Sequence, residues 1–383
     1  MRQIALFLMA VLAGSTGAAF AQGPYKVLDT VKVGGDGGFD YVYADSVARK
    51  LYIPRSGAAG RITVFNLDTL KPEGEIAGSG HGVAVSEGYG YASSKPVAEW
   101  EAATLKPVKT IDVEGGPDGI FTEGGRVWIF SHSAPNATVI DAKAGAVLGT
   151  IDLGGAPEQA VADGKGHLYI DLEDKDKIAV VDAKTMKLTG TYDLAGKGGG
   201  CAGLAIDAKN GVLFATCRKP QAMVILSAAD GKILTTLPIG AGTDGAVFNP
   251  ATGEAFSSNG DGTLTVVKES GPASFAVEQT LTTMPRAKTL TLDTKTGKLF
   301  LITAEFGAAP AVPAGGGRPG RAPMVPGTFS ILVVGGVHTP FYSFAWSSRW
   351  SAQSPSSDQR EDPCRSSNPI PPPRHATKWP LRA

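Results

Sequence analysis

No CxxCH, CxxC, HExxH or GxxxxGK(S/T) string occurs in the chain, so covalent haem attachment, a thiol redox pair, a zincin-type metal helix and a phosphate-cradling loop all drop out as starting points. Net charge is missing as well. Lys+Arg and Asp+Glu both total 36, and a balanced chain carries no overall electrostatic footprint for nucleic acid or an anionic membrane. Beyond the first dozen residues there is no long apolar run, so no later segment reads as a membrane-crossing helix. Cysteine is scarce, three residues in 383. Glycine is plentiful at 50, as expected of a chain built from many tight turns.

The opening MRQIALFLMAVLAGSTGAAFAQ combines Arg2, an apolar run from Ile4 to about Leu12, and Ala19-Phe20-Ala21 in an A-x-A arrangement. That is the layout of a secretory signal peptide spanning 1–21. The break at Gly14-Ser15-Thr16 leaves the run short of the roughly 20 residues a membrane anchor needs. The expectation is a mature chain from Gln22, periplasmic or secreted, without a membrane anchor after cleavage.

Residues 156–195 hold four β-prone runs: Gln159–Ala162, His167–Asp171, Ile178–Asp182 and Lys187–Asp193. Turn residues separate them, and the plan recurs. Inner strands begin at FDYVYAD (39–45), HGVAVSE (81–87), PDGIFTE (117–123), PEQAVAD (157–163), CAGLAID (201–207), TDGAVFN (243–249) and AKTLTLD (287–293). A four-stranded meander cannot cover both of its faces, but repeated about an axis it can. The expected fold is therefore all-β: a seven-bladed β-propeller of four-stranded antiparallel blades over 22–335. Blade seven lacks a fourth strand after Thr328–Val334, whereas Tyr25–Val33 has no other partner. The N-terminal strand is thus expected to close blade seven, with 338–346 (HTPFYSFAW) as the competing strand. Blade two fits worst, its third strand reduced to about Val97–Trp100. The segment 336–383 is rich in Ser, Pro and Arg and is expected to be a largely disordered tail.

GG, GP or AP before an inner strand, LYI-type second strands and VVDAKT-type third strands resemble the YVTN/YncE-like seven-bladed propeller repeat family of bacteria. The resemblance spans 25–335 and is strongest at 150–185 and 248–269. It implies an exported propeller, usually without an assigned reaction and often a binding or scaffold protein.

Aligned inner strands place Asp40, His81, Asp118, Glu158, Ala202, Asp244 and Lys288 in one column at the mouth of the central channel. Loops leaving the second strands add Arg55, Lys95, His132, Asp171, Arg218, Asn259 and Glu305 to that rim. Asp40, His81, Asp118, Glu158, Asp244, Lys288, His132, Arg218 and Glu305 are the candidate ligand-binding residues. They could hold a small polar ligand or a divalent cation, or serve only to satisfy strand-start amides and one another. No catalytic residue is assigned and no cofactor is evident. A second column, Asp45, Glu123, Asp163, Asp207, Asn249 and Asp293, ends the inner strands and reads as turn chemistry. Asn259-Gly260-Asp261-Gly262-Thr263 lacks the later ligand spacing of a calcium loop and reads as a tight turn.

Pairing Ile206 with Val212 around the DAKNG turn sets Cys201 opposite Cys217, within disulfide reach, and an oxidising compartment would join them. The Pro/Gly-rich loop 305–327 leaves the same rim and is a candidate cover for the mouth. The functional expectation is a monomeric binding or scaffold module for a protein or small polar ligand at the loop face, with no nucleic-acid partner. The alternative is a propeller enzyme of lactonase or lyase type, using His81 with Asp118, Glu158 or Asp244 and a divalent metal.

Overall fold

Short alternating runs punctuated by Gly, Asp and Asn give each segment an antiparallel neighbour next to it in sequence, and the chain folds accordingly. The computed structural model describes residues 23–57, 60–310 and 322–337; the proposed leader, the tail after 337 and the tip of the 305–327 loop lie outside them. Seven antiparallel sheets form a propeller. Blade four is representative: Pro157–Ala162, His167–Leu172, Lys177–Asp182 and Lys187–Asp193 pair in sequence order. Its second and third strands are buried, and its outermost strand is almost wholly exposed.

The core is divided among the seams between blades. Trp128, Phe130 and Val139 of blade three pack against Leu168, Ile170 and Val181 of blade four, and side chains of this size each contribute roughly 1.5–3 kcal/mol when fully buried. In blade two the third strand is Val97–Glu101. Its Trp100 lies over Gly90, where a Cβ would come within 2.2 Å of the indole. Blade one differs from the simple reading because its inner strand is split into Gly38–Phe39 and Tyr43–Asp45. Asp40 and Tyr41 fall in the gap.

Blade seven consists of Leu290–Asp293, Lys298–Thr303, Ser330–Gly336 and, outermost, the N-terminal Tyr25–Lys32, antiparallel to Ser330–Gly336. Gln279 of blade six clamps the start of that strand. Its Nε2 donates to the Tyr25 carbonyl and its Oε1 accepts from the Tyr25 amide, each at 2.8 Å. Replacing Gln279 by Ala removes both bonds and should lower unfolding stability by about 1–2 kcal/mol. Urea melts would show it, and an unchanged midpoint would mean that the clamp contributes nothing.

On the face opposite the rim, the acidic column behaves as turn chemistry. Asp45 Oδ1 accepts from the amides of Val47 and Ala48, Asp163 from Lys165, and Asp207 from Lys209. On the rim face, in the turn after Asn259, Asp261 accepts from Ala241 N and Thr263 Oγ1.

Candidate functional site

The rim side chains converge because of irregularities that the strand pattern does not display. At the start of the inner strands of blades three to six the register shifts, between Pro117 and Ile120, Pro157 and Ala160, Cys201 and Gly203, and Thr243 and Gly245. A bulge re-aims the residues it contains. Asp118, Glu158, Ala202 and Asp244 each occupy that bulge, and the three acids turn toward the channel mouth.

There they join cations in an alternating chain. His81 Nδ1 lies 3.0 Å from Asp40 Oδ2 and 3.1 Å from Asp118 Oδ1. The hydrogen bond runs to Asp40; the Asp118 contact is an ion pair without that alignment. Lys288 bridges Asp244 and, at 4.0 Å, Asp40. Arg218 grips Asp244 with Nη2 and Glu173 with Nη1. His132 Nε2 stands 3.1 Å from Glu173 and 3.7 Å from Glu158, and Tyr41 OH donates to Glu158 at 3.0 Å. The circlet therefore runs Asp118, His81, Asp40, Lys288, Asp244, Arg218, Glu173, His132, Glu158.

This arrangement spreads the acidities apart. The Asp118 and Asp40 carboxylates raise the His81 imidazole to about 10. Burial first, then the charges of Asp118 and Glu173, raises Glu158 to about 8. Burial opposes ionisation of Glu173 too, but His132 and Arg218 outweigh it and hold that carboxylate below its ordinary range. In Asp244 burial prevails over Lys288 and Arg218, and its acidity is weakened. A raised folded-state pKa on His81 stabilises the protein fully below the imidazole's ordinary ~6.5, and this is lost as pH rises through about 10. The His81 ring should accordingly stay protonated at pH 8.5 in two-dimensional NMR; a midpoint near 6.5 would show that the Asp40–His81–Asp118 contact does not persist in solution.

Just below the rim, two side chains cross the bore. Tyr41 reaches from blade one to Glu158 of blade four. Gln159 stands where blades two, three, five and six have Gly82, Gly119, Gly203 and Gly245. Its Oε1 accepts from the amides of Leu204 and Ala246 and its Nε2 donates to the Ala246 carbonyl, at 2.9–3.1 Å. Beneath lies a cavity of 390 Å³ lined by the inner strands of all seven blades, mostly by apolar side chains such as Val83, Phe121, Leu204 and Phe248.

The remaining sequence candidates are dispersed. Glu305 pairs at 2.9 Å with Lys32 of the first strand. Arg55 is buried, donates to the carbonyls of Gly35 and Gly37, and stacks on Phe329. Asn259 is buried and bonded to Thr263 and Thr265. Asp171, expected on the rim, is fully buried inside the blade, with neither oxygen partnered. Glu173 is the residue that the sequence reading passed over. Register shows why: Ser131, Leu172 and Cys217 face the first residues of their inner strands, so the next positions, His132, Glu173 and Arg218, are equivalent. Counting from the inner-strand proline of blade four would have found it. The expected cover loop has its two ends tied by Gly307 N to Pro323 O and Val325 N to Glu305 O; its tip, 311–321, lies outside the described residues.

No protein-family model matches the chain, and a search of curated proteins finds no match. Solved structures do resemble it. A chain of the "Crystal Structure of Mitotic Checkpoint Complex" superposes with a TM-score of 0.61 at 14% identity, covering 79% of this chain and 95% of that one. The "Structure of U3-55K" gives 0.61 at 11%, covering 81% and 98%. The "Crystal structure of RRP9 WD40 repeats" gives 0.61 at 12%, covering 82% and 99%. At such identities the likeness concerns architecture alone: a seven-bladed propeller with WD40-like neighbours.

Proposed function

We propose that this chain is an exported binding module of the YVTN/YncE-like kind, whose rim takes a small polar ligand. One observation carries the reading: the concave mouth presents an alternating circlet of fixed donors and acceptors above a floor made by Tyr41 and Gln159. A ligand carrying both hydroxyl or amine and carboxylate or carbonyl groups could exchange its own partners for these pairs one by one, and convergent polar groups at a concave mouth are the usual form of such a site. The Cys201–Cys217 disulfide supports export, since oxidised pairs persist outside the reducing cytosol. A broader scaffold role draws support from architecture alone, one similar propeller having been solved in a Mitotic Checkpoint Complex.

A second reading rests on Glu158. A carboxyl held protonated near pH 7 beside His132 is suited to general-acid chemistry of lactonase or lyase type. The test is a thermal-shift screen of sugars, polyols, amino acids and dicarboxylates in EDTA, followed by mass analysis of any hit. The binding reading expects a ligand that raises the melting temperature by mass action, loses that effect in Asp244→Asn or Arg218→Gln, and is recovered unchanged. Conversion of the ligand by the wild type but not by Glu158→Gln would favour the enzyme. A screen without a hit, or hits indifferent to both rim variants, would overturn the small-ligand reading.

A further inference from the structure

One stretch of the circlet uses its atoms differently from the rest. Glu158 has Oε2 held at 3.0 Å by Tyr41 OH, while Oε1 lies 3.7 Å from His132 Nε2. Glu173 has Oε1 held by Arg218, while Oε2 lies 3.1 Å from the same nitrogen. Each carboxylate is thus fixed by a donor outside the group and turns its other oxygen inward. Potential donor atoms of His132, Glu158 and Glu173 lie within 4.8 Å of one another.

The spacing has a chemical meaning. Ligand atoms about 2.1 Å from a tetrahedral ion stand about 3.4 Å apart, and the 3.1 and 3.7 Å separations bracket that value. Outer groups that hold one oxygen and aim the other are also what metal carboxylates require. An unpartnered polar group lies behind the three residues: opposite the Glu158–Gln159 bulge sits Asp171, fully buried with both oxygens unpartnered. A 500 Å³ pocket lined by His132, Glu173 and Arg218 opens at this seam.

We propose that His132, Glu158 and Glu173 bind a divalent first-row transition ion of the Zn²⁺ class, with Tyr41 and Arg218 orienting the two carboxylates. An imidazole among the ligands disfavours Ca²⁺ and Mg²⁺, which take oxygen. Three protein ligands leave a coordination position open, and it faces the pocket, where a carboxylate or hydroxyl of the small polar ligand would enter. The inference rests on reading the rim as a binding site. The neighbouring Asp40–His81–Asp118 group also converges on one imidazole nitrogen, but at 3.0 and 3.1 Å both of its separations fall short of the ~3.4 Å spacing between ligand atoms.

The test is calorimetric titration of the full-length chain, stripped with EDTA, with ZnCl₂ alone, alongside visible spectra on adding Co²⁺. Expected are one Zn²⁺ per chain, affinity at least about tenfold weaker in His132→Ala and in Glu173→Gln, and little change in His81→Ala. Co²⁺ bands should appear in the wild type and vanish in His132→Ala. Metal-free melting curves verify that each variant folds, with His132→Asn as the substitute if His132→Ala does not. No Zn²⁺ uptake, uptake unaffected by both His132→Ala and Glu173→Gln, or uptake lost only in His81→Ala would overturn the proposal. Polar-ligand shifts in EDTA without any Zn²⁺ uptake would overturn the ion while leaving the rim reading intact. Zn²⁺ uptake through His132 without any polar-ligand hit would do the reverse.

Discussion

Replacing Asp171 by Asn is expected to stabilise the protein at pH 7.5 by several kcal/mol, about 1.4 kcal/mol for each pH unit above the unfolded carboxylate's ~3.9 over which the folded carboxyl stays protonated. The gain should vanish near pH 4. Asp171 has no exposed surface and neither of its oxygens has a partner. Equivalent positions of blades two, five and six hold hydroxyls bonded to inner-strand carbonyls, those of blades two and six on the next blade and that of blade five on its own. Ser93 Oγ donates to the Asp118 carbonyl, Ser258 Oγ to that of Lys288 at 2.6 Å, and Thr216 Oγ to that of Gly203 at 3.3 Å. Blade four places an acid where a neutral donor fits. Burial, then the charges of Glu158 and Glu173, raises its pKa well above the ordinary carboxylate value. With the folded pKa above the unfolded one, the native state is favoured fully below about pH 3.9 and loses that support as pH rises. Asn does not titrate, so its advantage grows with pH. Urea melts at pH 4 and 7.5 in metal-free buffer, with Asp171→Ser as a hydroxyl control, give the answer. Destabilisation by Asn at both pH values would show that the carboxyl is needed for a contact no amide can make.

The second large effect lies on the neighbouring blade. Cys201 and Cys217 are buried and joined, 16 residues apart. Closing a loop of about this length removes unfolded-state entropy worth on the order of 3 kcal/mol. Replacing both residues by Ala should lower stability by about that much, and Tris(2-carboxyethyl)phosphine should then have no further effect on the variant. The consequence reaches the rim, because Arg218 follows Cys217 and holds both Glu173 and Asp244. A denaturation midpoint unchanged in the double variant would mean that hydrogen bonding and packing alone constrain this hairpin.

How far the sequence could be read depended on the kind of feature. Blade number, strand order and the turn role of Asp45, Asp163 and Asp207 were legible, because period and turn chemistry are local properties. The Cys201–Cys217 pair was reached by two offsets that cancel. Asp207, not Ile206, faces Val212, and a bulge between Cys201 and Gly203 shifts the register back by one. Bulges were what local reading could not supply. They leave no mark on hydrophobic alternation, yet they turn Glu158 and Asp244 inward; that blade four's rim position is Glu173 rather than Asp171 follows instead from the pairing of Pro157 with Leu172. Tyr41 and Gln159 were invisible for another reason: their partners lie across the axis, on strands remote in sequence.

Those two side chains divide the centre of the ring into separate rooms. For a guest at the charged rim, going inward past these groups would mean breaking the three bonds of Gln159 to backbone amides and a carbonyl as well as the Tyr41–Glu158 bond. The greasy chamber lies on the inner side of these bonds, so a hydrophobic visitor there and a hydrophilic one above would have four hydrogen bonds between them.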